Sequence, residues 1–110
     1  MATEASLPRS IFVQWWSSLP SDIKQRLGFA QHLDYYVELA KDYYKSRLNA
    51  PSWRIVCAAC ICHFFVTHTR GELRLIGTLS NIADAFYVAK KSLCRCWNNL
   101  LDFETERDFE

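Results

Sequence analysis

Residues 78–101 read TLSNIADAFYVAKKSLCRCWNNLL, and this stretch decides the fold. Apolar residues recur at helical spacing on both sides of Val88, which predicts two helices joined by a tight turn. Such a pair is the helix-turn-helix pattern, whose second helix can lie in a groove of DNA. The outward positions of that second helix are Lys90, Lys91, Ser92 and Arg95.

A second informative segment, PSWRIVCAACICHFFVTHT, runs from Pro51 to Thr69. It is apolar on nearly all sides, which is typical of a helix buried at the centre of a domain. Small residues at positions 57–60 would let neighbouring helices approach it closely. We therefore expect the other helices to surround this one.

The remaining periodic segments complete an all-helical domain. Five helices are predicted, near residues 10–19 (with an extra turn near 22–27), 30–48, 52–67, 79–86 and 89–101. Residues 1–9 are predicted to form a flexible leader, residues 10–101 a single domain, and residues 102–110 an acidic tail. A chain of 110 residues, half of them hydrophobic, suits one such domain.

The net charge of +1 conceals an asymmetry along the chain. The segment DFETERDFE (102–110) holds five acids and one Arg, so residues 1–101 carry 12 basic and 7 acidic residues. A mildly basic body with an acidic tail is typical of a polyanion binder whose tail regulates access. A tail that only aids solubility is an equally good interpretation of the acids alone.

The five cysteines indicate an intracellular protein rather than a disulfide scaffold. Their number is odd, and all of them lie inside apolar helical patterns, so we expect reduced thiols. The polar start of the chain does not resemble a secretory signal. The apolar run from Ile55 to Val66 is shorter than the ~20 residues that a membrane span needs, so no membrane association is expected.

Neither a metal site nor a catalytic site is expected. Cys57 and Cys60 share a helix face, but Cys62 points elsewhere, whereas structural zinc needs four converging ligands. Cys62 with His68 is a conceivable nucleophile pair, but that chemistry requires an accessible thiolate, and the surroundings predict burial. We therefore expect a protein that is not an enzyme, without cofactors or a small-molecule substrate.

Two stretches together resemble a known family. These are Ile55-Val-Cys-Ala-Ala-Cys-Ile and the run Val88-Ala-Lys-Lys-Ser-Leu-Cys-Arg-Cys-Trp97, preceded by Thr78 and Ile82. In this order they resemble a cyclin-like repeat of the general transcription factor IIB family, most closely the first of its two repeats. The resemblance covers about residues 10–101. It implies a five-helix cyclin-like fold ending in a helix-turn-helix-like pair, and a nuclear location if the source is eukaryotic.

The resemblance also implies partners and a docking surface. Such repeats bridge promoter DNA, the TATA-binding protein and RNA polymerase without catalysis, so the expected partners are duplex DNA and either of those proteins. Carried over by position, Lys90, Lys91 and Arg95 would face nucleic acid or polymerase. Basic residues elsewhere could extend this patch, and Ser92 could reach a phosphate or a base edge; those basic residues are Arg54, Arg70 and Arg74.

The chain also departs from the family pattern. It has one repeat and no zinc ribbon, and Tyr87 stands at a turn position often held by Gly. Such a tyrosine would meet a steric cost if its φ angle were positive. The base-reading arginine of the family's second repeat would fall at Cys94, which argues against reading of a specific promoter sequence.

Three functional interpretations follow from these residues. The leading one is an adaptor of transcription initiation that docks on DNA or its bound machinery through the last two helices. The second is a cyclin-fold module that binds a protein partner through exposed aromatic side chains and does not bind nucleic acid. The third is a helix-turn-helix DNA binder unrelated to the family, for which a dimer reading two half-sites would be typical.

Overall fold

A computed structural model describes residues 7–69 and 78–108 of the chain. Within these ranges the chain forms six α-helices and one 3-10 turn, with no strand, so the predicted all-helical class is confirmed. The elements in chain order are α1 (Leu7–Ser17), α2 (Ser21–Leu27), a 3-10 turn (Phe29–His32), α3 (Leu33–Ser46), α4 (Trp53–His68), α5 (Leu79–Ala85) and α6 (Lys90–Asp108).

Helix α4 lies at the centre of the domain, as its apolar sequence predicts. All ten residues from Val56 to Phe65 are buried, and α4 packs against α1, α3, α5 and α6. Ser52 begins the helix by accepting a hydrogen bond on its Oγ from the N–H of Ile55 at 3.4 Å. No helix among residues 7–69 and 78–108 is long and apolar enough to cross a membrane.

The core around α4 is largely aromatic. The ring of Phe29 lies 5.1 Å from that of Phe64, 5.5 Å from Trp15 and 5.7 Å from Phe12, mostly in tilted or edge-to-face arrangements. Gly28 makes this packing possible because it ends α2 with a left-handed φ of 65°, which turns the chain so that Phe29 points inward.

Adjacent aromatic residues divide between the core and the surface, as expected for neighbours about 100° apart on a helix. Tyr36 is buried whereas Tyr35 is exposed, and Tyr43 is buried whereas Tyr44 is half-buried. The ring of Tyr44 stacks on Trp53 with centroids 3.9 Å apart and planes 9° apart. This stack joins the end of α3 to the start of α4.

Helix α1 begins earlier than the sequence indicates. The sequence predicts a leader over residues 1–9 and a first helix that begins near residue 10, but α1 already starts at Leu7. Pro8 is buried in its first turn, where proline is tolerated because the first N–H groups of a helix have no partner within the helix. Ser10, at the predicted start, therefore lies inside the helix.

Helix α6 is longer than predicted, because it ends at Asp108 rather than at residue 101. Residues 102–108, which the charge pattern places in an acidic tail, continue the helix along α3 and α4. The ring of Phe103 lies 5.6 Å from that of Tyr43, and Arg107 donates to Asp42 at 2.9 Å. These contacts with α3 favour the helical state of a segment whose charge alone indicated a solvated tail.

Candidate nucleic-acid interface

The connection between α5 and α6 is a tight, hydrogen-bonded turn. The Oγ1 of Thr78 caps α5 by accepting from the N–H of Asn81 at 3.2 Å. After α5, the N–H of Val88 donates to the carbonyl of Ala83 at 3.0 Å, while Tyr87 adopts a φ of 56°. The chain thus bends within residues 86–89, and α6 begins at Lys90.

Four of the sequence-predicted docking residues lie on the outside of α6. Lys90, Lys91, Ser92 and Arg95 are exposed, whereas Leu93 is fully buried. Lys91 and Arg95 are four residues apart, so they share one side of the helix. The structure therefore brings these four side chains together at one end of α6.

The opposite side of α6 packs against the core and holds the basic end of the helix in place. Leu93 and Leu100 are both fully buried, and Cys96 is 3% exposed. These positions repeat at three and four residues and face α4, with which α6 makes its most extensive contact. The basic side chains therefore project from a rigid support rather than from a loop.

The cations at the start of α6 form no ion pair with a carboxylate in the described part of the chain. Among the residues that the structure describes, the ion pairs are Arg9–Asp34, Lys41–Glu38, His63–Glu104 and Arg107–Asp42. None of them involves Lys90, Lys91 or Arg95. Because the N-terminal end of a helix also carries a partial positive charge, anions are attracted to this end of α6.

The other predicted members of the basic patch divide into two groups. Arg54 is exposed and lines a cavity of about 230 Å³ that Phe86 and Tyr87 also line, so it lies beside the α5–α6 turn. Arg70 and Arg74 lie outside the described residues, and their part in the patch stays a prediction.

The cysteines considered as ligands or nucleophiles are mostly buried. No group of three or more His, Cys, Asp or Glu side chains in the described part of the chain could hold a metal ion. Burial raises the pKa of Cys62 to about 12, so this thiol stays protonated at neutral pH. Cys94 is the one cysteine with an exposed side chain.

Sequence reasoning missed a polar cluster on the opposite part of α6. His63 is buried in α4, and its Nε2 lies 2.7 Å from Oε1 of Glu104, while its Nδ1 lies 2.7 Å from the hydroxyl of Tyr36. Because a carboxylate can only accept, Nε2 donates to Glu104. The hydroxyl of Tyr35 donates to the other oxygen of the same carboxylate.

All three histidines of the chain lie at this cluster. The rings of His32 and His68 stack with centroids 4.0 Å apart, and both line a cavity of about 500 Å³ together with His63 and Glu104. Partial burial and the neighbouring His32 and His63 lower the pKa of His68. The one sequence signal for this cluster was the polar His63 interrupting an apolar helix.

The carboxyl of Glu104 is held in its ionised form. Partial burial alone would raise its pKa, but the hydrogen bonds from Tyr35 and His63, together with the charge of Arg107, lower it below its ordinary value. The cluster therefore fixes α6 to α3 and α4 through a charged group, at a distance from the basic residues that begin the helix.

Comparison with known proteins adds no relative to this picture. The chain gives no significant match to any protein-family model, any curated protein or any solved structure.

Proposed function

We propose that the chain is a non-catalytic docking module that binds duplex DNA, and the initiation machinery assembled on it, through the start of α6. The observation that carries the proposal is the group of three exposed cations, Lys90, Lys91 and Arg95, at the N-terminal end of the second helix of a helix-turn-helix-like pair. None of the three forms an ion pair with a described carboxylate.

The proposed mechanism is electrostatic docking with shape fit. Lysine and arginine side chains would contact backbone phosphates, which fix the position of a protein on DNA but carry no sequence information. Cys94, which stands where the family's second repeat has a base-reading arginine, offers no comparable donor. We therefore propose binding that depends weakly on DNA sequence.

The protein partners and the cellular location rest on the resemblance to the transcription factor IIB family. By that resemblance, the TATA-binding protein or an RNA polymerase subunit would be the second partner, the fold would be cyclin-like, and the location would be nuclear in a eukaryote. The central helix surrounded by amphipathic helices supports this proposal at the level of architecture.

A salt titration of DNA binding tests the proposal. Fluorescence anisotropy with a labelled 20-base-pair duplex would be measured over a series of salt concentrations. We expect the logarithm of the association constant to fall linearly with the logarithm of salt concentration, by roughly 0.9 per phosphate neutralised. The triple change Lys90→Ala, Lys91→Ala, Arg95→Ala should lower that slope by about 2–3.

A second triple variant provides a control of equal charge. Arg9, Lys24 and Arg26 belong to α1 and α2 rather than to α6. Their joint replacement by Ala should leave most of the slope intact. Absence of duplex binding by the wild-type chain at low salt, or equal losses in both triple variants, would show that α6 is not the docking surface.

One observation favours a second candidate, a module that binds a protein partner. Tyr87 is 84% exposed at the α5–α6 turn, beside the cavity that Arg54 lines. Exposed aromatic side chains are enriched at the centres of protein interfaces. For this function, Tyr87→Glu should abolish binding of the protein partner, while the triple α6 variant should retain it. For the DNA-docking function, the triple α6 variant should lose DNA binding, while Tyr87→Glu should retain it.

A further inference from the structure

A cleft between the end of α3 and the first turns of α6 has the composition of an anion site. Its volume is about 330 Å³, and no acidic residue of the described ranges 7–69 and 78–108 lines it. The lining residues comprise two arginines, three other polar residues and an apolar floor, namely Arg47, Arg95, Ser92, Asn49, Asn99, Tyr43, Pro51, Ile55 and Cys96.

One wall of the cleft is a single face of α6. Ser92, Arg95 and Asn99 follow one another at intervals of three and four residues, so their side chains project in the same direction. All three are exposed. A hydroxyl, a guanidinium and a carboxamide thus stand in a row along the cleft, and each can donate hydrogen bonds to an oxyanion.

The second wall comes from the residues that follow α3. Arg47 lies directly after the helix, and its guanidinium carbon is 4.8 Å from the centre of the Tyr43 ring. This cation–π contact orients the guanidinium without neutralising its charge. No described carboxylate forms an ion pair with Arg47 or with Arg95, so the cleft has two guanidinium groups available to an anion.

The floor of the cleft includes two buried side chains. Tyr43 is 1% exposed and Cys96 is 3% exposed, and partial burial raises the pKa of both groups, so neither carries a negative charge at neutral pH. Hydrogen bonds between arginine and an oxyanion are stronger where water is partly excluded. The planar guanidinium fork also matches phosphate geometry better than the point charge of lysine.

We propose that this cleft binds one phosphate group between Arg47 and Arg95. On duplex DNA the group is a backbone phosphate, so the cleft anchors the register of α6 while Lys90 and Lys91 contact neighbouring phosphates. The role as an anchor on DNA rests on the proposed function, whereas the phosphate site itself does not. Arg47 had no place in the predicted docking surface, because it is 43 positions from Lys90 in the chain.

Pyrophosphate titration followed by amide and arginine-side-chain NMR tests the site alone. We expect saturable shifts at Ser92, Arg95 and Asn99. Each of Arg47→Gln and Arg95→Gln should weaken pyrophosphate binding by about tenfold or more, as loss of a charged hydrogen-bond donor predicts. Arg26→Gln is the matched control, because it removes the same charge from α2 and does not line the cleft.

The absence of saturable shifts in the wild-type chain would overturn the site. So would an equal loss in Arg26→Gln and Arg95→Gln, because the effect would then follow net charge rather than the cleft. Unchanged amide spectra away from the cleft in both cleft variants would verify that the fold is intact.

A parallel titration with the 20-base-pair duplex separates this inference from the proposed function. A decrease of about 0.9 in the magnitude of the salt slope in Arg47→Gln, which corresponds to one phosphate contact, would support the backbone anchor. A slope unchanged by Arg47→Gln would overturn the anchor. Failure of the wild-type chain to bind any duplex, with pyrophosphate still bound at Ser92 and Arg95, would overturn the proposed function and leave a site for a free phosphorylated ligand.

Discussion

Tyr87 holds a left-handed backbone conformation at a φ of 56° while 84% of its side chain is exposed. A residue other than glycine, asparagine or aspartate adopts this conformation at a cost of roughly 1 kcal/mol. The exposed ring regains little of that energy through packing. Strain of this kind is often retained where a residue contacts a partner.

We predict that Tyr87→Asn increases the free energy of unfolding by about 0.5–1 kcal/mol, because asparagine tolerates left-handed angles. Tyr87→Val should decrease it, since a β-branched side chain is among the least tolerant. Urea denaturation of both variants measures the order Asn, Tyr, Val. Equal midpoints in all three chains would show that the turn relaxes to a different conformation.

The lowered pKa of Glu104 predicts how stability depends on acidity. Because the folded state favours the ionised carboxylate, its contribution is present above the ordinary pKa of 4.5 and is lost as the pH falls through the lower folded value. Glu104→Gln should therefore flatten the decline of the melting temperature below about pH 4.5. Glu106→Gln, which removes an exposed carboxylate from the same helix, is the control.

At the scale of elements, the two most informative helices differ in how well their sequence predicts them. Helix α4 can be predicted from the sequence, because a helix with ten consecutive buried residues is apolar on all sides. The last two turns of α6 cannot be predicted in this way, because their contacts join residues far apart in the chain. Glu104 meets His63 across 41 positions, and Arg107 meets Asp42 across 65.

The same distinction applies to the candidate sites. The basic start of α6 could be read from the sequence, since it needs only helical periodicity after a turn. The cleft could not, because Arg47 and Arg95 become neighbours only when α3 and α6 pack together. The histidine cluster was hidden for the same reason.

We predict that a chain ending at Leu101 is less stable than the full chain by about 2–4 kcal/mol. It loses the apolar contact of Phe103 and the hydrogen bonds that Glu104 and Arg107 make to α4 and α3. Thermal unfolding followed by circular dichroism measures the difference. Equal melting temperatures would show that residues 102–108 do not support the core.

At the scale of the whole molecule, the five thiols differ in their exposure to solvent. Cys57, Cys60, Cys62 and Cys96 are buried, and burial raises their pKa values, whereas Cys94 is exposed on α6. Reaction with a thiol needs an accessible, ionised sulfur. The native chain should therefore react as though it had one cysteine.

We predict that a disulfide exchange reagent such as DTNB modifies one thiol rapidly in the native protein and all five after denaturation. Cys94→Ser should abolish the rapid phase and leave the slow phases unchanged. The absorbance of the thiolate that the reagent releases measures the number of thiols that have reacted. Rapid reaction of two or more sulfurs in the native state would mean that the packing around α4 opens readily.

The stack of Tyr44 on Trp53 has a consequence for the short connection that it spans. Residues 47–52 leave α3 beside one ring and enter α4 beside the other, so the connection is clamped at both ends. Arg47 and Asn49 lie in this connection, so the stack limits how far the backbone that carries them can move. A preorganised wall of this kind retains more of its interaction energy as affinity, because less of it is offset by the entropy of ordering a loop.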